Sequence, residues 1–154
     1  MRTFKPSLPS RFRVLVVAVC CLLAEPPFAF GFVDDYVVIV NKANPADSIS
    51  SADLRKMFVG EKTTWTNGAK VLAITPGPDR PEFALTIEKA TGMSGPEFKR
   101  YFIQLSFMGK IVPPLPRTLD TTAAIARFVG TSLGAVSCVP AADVGPGVKI
   151  LKVK

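Results

Sequence analysis

Residues 70–91 read KVLAITPGPDRPEFALTIEKAT, and the order of signals within them decides the fold. Lys70 to Thr75 alternates and then turns apolar, as a buried strand does. Thr75-Pro76-Gly77-Pro78-Asp79 does not extend it, because two prolines and a glycine favour a turn over a ladder. Asp79 is predicted to cap a helix with Pro81 in its first turn, where the fixed φ of proline is pre-organised, and Gly92 ends that helix after about Thr91. Strand, loop and helix N-terminus in this order form the unit of α/β proteins.

Toward the N-terminus, Asn67-Gly68 marks a tight turn ahead of this strand. Ser50, three residues before Asp53, is predicted to cap a short helix whose Leu54, Met57 and Phe58 share one side, with Gly60 at its end. Asn44-Pro45 forces a turn. Before it, Tyr36 to Val40 is a continuous β-branched run, the pattern of a strand buried on both faces. Toward the C-terminus, Ser94 and Glu97 form a capping box for a helix with a core-facing stripe of Phe98, Tyr101, Phe102 and Leu105. Gly109 to Pro116 holds three prolines and is read as a surface loop, with Pro113-Pro114-Leu115-Pro116 a rigid connection rather than a polyproline ligand. A helix from Thr121 to Val129 and strands at Ala135 to Val139 and Val148 to Val153 complete the chain, the last two separated by Gly145-Pro146-Gly147. The alternation predicts an α/β domain with a mostly parallel sheet and helices on both faces. In such sheets ligands sit outside the carboxyl ends of the strands.

The first residues carry Arg2, Lys5, Arg11 and Arg13 and then the apolar run Val14 to Ala24, too short to span a bilayer. They read as a signal peptide over residues 1–31, cut after Gly31 or alternatively after Ala24 or Ala29, with a retained anchor as the competing reading. One domain, 32–154, is expected to follow, with no stable membrane span and a periplasmic or secreted location. The formal charge of +7 falls to +4 once the four basic residues and Glu25 of the leader are removed. The remaining cations are scattered, so no nucleic-acid stripe is predicted.

Histidine is absent from the 154 residues, which removes the commonest general base and metal ligand; no metal, cofactor or catalytic group is predicted. Cys138 is the one cysteine outside the leader and, flanked by apolar residues, is read as a buried structural thiol. The candidate site is therefore a binding site. The helix start after Thr75 offers N–H donors and a partial positive charge to an anion, with Asp79 and Arg80 beside it. The start of the last helix offers the hydroxyls of Thr121 and Thr122, with Asp120 or Thr118 as its cap.

Val38-Ile39-Val40-Asn41, the Asn44-Pro45 turn, Ser50 to Gly60 with its Met57-Phe58-Val59-Gly60 end, Trp65, and Gly134-Ala135-Val136 before Cys138-Val139-Pro140 together resemble the second half of periplasmic phosphate-binding proteins. The order and spacing agree over about a hundred residues. The resemblance implies one lobe of a type 2 periplasmic binding protein. It implies capture of a small oxyanion such as phosphate by backbone N–H groups at helix starts, and an ABC transporter or another envelope protein as partner. Where that family has Ser-Gly-Thr at the helix start, this chain has Arg80-Pro81-Glu82. The alternative reading is an envelope interaction module that keeps the fold without the ligand.

Overall fold

A computed structural model describes residues 36–109 and 113–154; the leader and its cleavage point lie outside the described residues. The described chain runs β1 (Tyr36–Asn41), β2 (Ser48–Ile49), α1 (Ser51–Phe58), β3 (Leu72–Pro76), α2 (Pro81–Thr91), α3 (Gly95–Phe107), β4 (Arg117–Leu119), α4 (Thr122–Thr131), β5 (Ala135–Pro140), a 3₁₀ turn (Ala141–Asp143), β6 (Val148–Ile150) and β7 (Lys152–Val153). Five strands make one sheet in the order β4-β3-β5-β1-β6. β3 is parallel to β4 and to β5, whereas β1 runs antiparallel between β5 and β6, so four of the five strands point one way.

Side-chain alternation splits the core into two layers. Val38, Val40, Val136 and Cys138 face α1, α2 and α3 through Leu54, Phe58, Ile87 and Phe98. Ile39, Ile74, Ala135 and Val139 face the opposite way and meet Ile125, Ala126 and Val129 of α4. Tyr36 to Val40 is thus the doubly covered strand that its unbroken apolar run predicts, and the sheet carries helices on both faces.

Ser50 accepts a hydrogen bond from the Asp53 N–H, and Ser94 with Glu97 closes a full capping box. Two cap expectations are corrected. Arg80, not Asp79, occupies the cap position of α2 and makes no side-chain cap bond, because Pro81 takes the first helical place and leaves Asp79 one residue outside. At α4 the cap is Thr121 itself, whose hydroxyl accepts from the Ala124 N–H at 3.1 Å, rather than Thr118 or Asp120. The segment Val148 to Val153 is not one strand. Leu151 turns into the core and donates its N–H to the Val38 carbonyl, which sends Lys152–Val153 off to pair in parallel with Ser48–Ile49.

Two loop contacts hold the layers in register. Gly134 accepts at its carbonyl from the Leu72 N–H and from the Trp65 indole N–H, both at 3.0 Å. A Cβ on Gly134 would collide with the Lys70 carbonyl oxygen, so this approach of two backbones requires glycine. On the other face, the Asn41 amide donates to the Val129 and Gly130 carbonyls at 3.0 and 2.8 Å and accepts from the Ala43 N–H, closing the C-terminal end of α4. Asn41→Leu strands these groups in a buried place. It is expected to cost about 2 kcal/mol, read as a lower urea midpoint with an unchanged slope.

Candidate functional site

The carboxyl ends of β3, β4 and β5 lie at one end of the sheet, together with the first residue of β1, since Pro76 pairs with Leu119 and Tyr36 with Pro140. Both α2 and α4 begin there, one on each face. The geometry brings the residues singled out from sequence to this end, but with separate duties. Asp79 and Arg80 are exposed beside the start of α2, Thr121 is consumed as a cap, and Thr122 donates its hydroxyl to the Asp143 carboxylate in a short hydrogen bond. Thr75 is only 1% exposed and lines a neighbouring cavity.

Each helix start has its own polar neighbours. Tyr36 is held above the usual phenol value first by burial and then by the negative charges of Glu82 and Asp143. Arg80 Nε stands 3.8 Å from Glu82 Oε2, a loose and half-exposed pair that contributes little to stability. That same carboxylate oxygen is enclosed and has no hydrogen-bond partner among the described residues. Tyr36, Glu82 and Asp143 belong to the group although sequence reading did not nominate them as contacts. The signal for Asp143 was its place just after a buried strand.

Donor accounting separates the two helix starts. At α2 the Arg80 N–H goes to Gly77, Pro81 has none, and the Phe83 N–H goes to the Arg80 carbonyl, which leaves the Glu82 N–H. The carboxylate of Glu82 already sits in the positive end of the helix dipole. At α4 one first-turn donor, the Ala124 N–H, is satisfied by the Thr121 hydroxyl. Among the described residues the Thr122 and Ala123 N–H groups show no partner, two donors against one at α2, although the Asp143 carboxylate stands at the Thr122 hydroxyl.

Beside Thr75 lies a cavity of about 380 Å³, walled by Pro78, Phe83, Phe98, Phe102, Ile103 and Leu115. Thr75 and Thr118 are register partners on adjacent parallel strands and both line it, as do Lys99 and Pro116. The Cys138 thiol is buried elsewhere, and burial pushes it up to about 12, so it is no nucleophile at neutral pH. Among the described residues no group of three potential metal ligands comes together.

No family model matches the chain, and no curated protein matches it. Solved structures do. An ABC-type phosphate transport receptor from Vibrio cholerae aligns at TM-score 0.52 and 20% identity, over 77% of this chain and 46% of that one. A putative phosphate ABC transporter substrate-binding protein from Clostridium perfringens, solved with bound phosphate, aligns at 0.59 and 15% over 77% and 44%. A possible phosphate binding protein from Planctomyces limnophilus gives 0.56 and 15% over 78% and 41%. At these identities the likeness is one of fold. The chain has the fold of one part of phosphate-transport receptors and spans less than half the length of the structures it matches.

Proposed function

We propose that this protein is an exported, non-catalytic binding lobe that takes a small oxyanion such as phosphate at the carboxyl end of its sheet, in the service of transporter-linked uptake. The observation that carries the reading is the meeting of two helix starts at that end, on a fold whose solved examples include a receptor with bound phosphate. Arg80 is the charged contact, with the Thr122 and Ala123 N–H groups as fixed donors. No described helix is long and apolar enough to cross a membrane.

A second reading, the envelope interaction module, is favoured by one feature. Glu82 supplies its own carboxylate where a bound anion would meet α2.

Calorimetric titration of the purified protein with phosphate, sulfate and a dicarboxylate tests the choice. Saturable binding is expected to fall about tenfold in Arg80→Ala, and to strengthen in Glu82→Gln, which keeps the shape and removes the repulsion. A folded protein that gives no heat with any anion, in either background, leaves the interaction module as the reading.

A further inference from the structure

The 380 Å³ cavity beside Thr75 has a composition that does not suit a bare inorganic ion. Phe83, Phe98 and Phe102 pack edge to face along one wall, with ring centroids 6.3 and 5.1 Å apart. Ile103 and Leu115 close the other side and are themselves more than half exposed, so the space opens to solvent. Its volume lies in the range of pockets that hold small organic molecules, and such pockets combine apolar walls with a few placed polar groups.

Those groups are present. The other fully buried hydroxyls of the core are satisfied: Ser137 donates to the Ile74 carbonyl, Thr86 to the Cys138 carbonyl and Thr91 to the Ile87 carbonyl. Thr75, equally buried as a residue, lines the cavity. Thr118 lies beside it in register, and Lys99 adds a cation to a lining that contains no carboxylate.

We infer that this cavity is a second site at the same end of the sheet and takes an organic anion, with a compact apolar body seated among Phe83, Phe98 and Phe102 and its charged group met by Thr75, Thr118 and Lys99. It goes beyond the oxyanion reading, whose contacts are Arg80 and the start of α4, and names a separate place and class of ligand.

Phenyl phosphate, inorganic phosphate and benzyl alcohol, titrated separately into the purified protein, decide it. Phenyl phosphate is expected to bind at least about tenfold more tightly than either of the others, since each of them forfeits one half of the recognition. Thr75→Val, which removes only the hydroxyl, and Lys99→Gln, at an exposed position, are each expected to weaken phenyl phosphate about fivefold. The melting temperature of both variants should stay level, which separates a lost contact from a lost fold. Equal affinity for the two phosphates overturns the inference and leaves the oxyanion reading standing. Equal affinity for phenyl phosphate and benzyl alcohol overturns it by removing the anion. No binding of any probe to the folded protein overturns both.

Discussion

Gly134→Ala is expected to destabilise the protein by about 3 kcal/mol or more, the largest effect of any single methyl added to the described chain. The new Cβ would stand inside the van der Waals radius of the Lys70 carbonyl oxygen, a backbone atom that has no rotamer by which to retreat. To relieve the clash, β5 must move away from the start of β3. That movement also stretches both hydrogen bonds accepted by the Gly134 carbonyl, from Leu72 and from the Trp65 indole. Backbone strain is not the cause, because Gly134 does not adopt a positive φ. Equilibrium denaturation in urea at neutral pH measures the loss. A change below about 0.5 kcal/mol would mean that the two backbones part at little cost, and that the glycine there answers to something other than this contact.

Trp65→Ala is expected to cost about 4 kcal/mol. The ring is only 6% exposed, packs into the layer formed with α1, α2 and α3, and carries an N–H that must find an acceptor once buried. Truncation removes the apolar surface and the hydrogen bond together. Trp65→Phe retains most of the packing and isolates the bond, for which about 1 kcal/mol is expected. Because Trp65 and Gly134 share one carbonyl, Trp65→Ala with Gly134→Ala should cost clearly less than the separate losses combined; full additivity in a double-mutant cycle would contradict the shared contact.

Long, strongly patterned elements were legible without coordinates. The β-branched run Tyr36 to Val40, the box at Ser94 and Glu97, and the stripe through Phe98 and Phe102 each carry a local signal that agrees with the environment they meet. β2, β4 and β7 were not legible, being two or three residues long and made by their neighbours: Arg117–Leu119 is a strand because β3 lies open beside it. Helix starts were placed to within one residue, and that one residue mattered. Asp79 is the better capping side chain, but Pro81 at the first helical place makes Arg80 the cap position.

The candidate site followed the same division. Thr75, Arg80 and Thr122 could be nominated because they sit at strand ends and helix starts, features with a sequence signature. The Asp143 carboxylate on Thr122 and the Glu82 charge acting on Tyr36 are meetings across long stretches of chain, and no periodicity encodes them. The apolar cavity was hidden for another reason. Its aromatic wall reads as ordinary helix core, and only the open side at Ile103 and Leu115 shows that the core is unfinished there.

The position of β1 bears on how this chain reaches its native state. The first described strand ends up inside the sheet, between β5 and β6, and its partners on both sides come from residues about a hundred positions later, as Val38 beside Cys138 and Asn41 beside Val148. Contacts of such high sequence separation close large loops, and the entropy of closing them is lost before any pairing is gained. Folding is therefore slow for a domain of this size and late in the life of the chain. Until the segment carrying β5 and β6 returns, Tyr36 to Asn41 lacks both of its neighbours in the sheet.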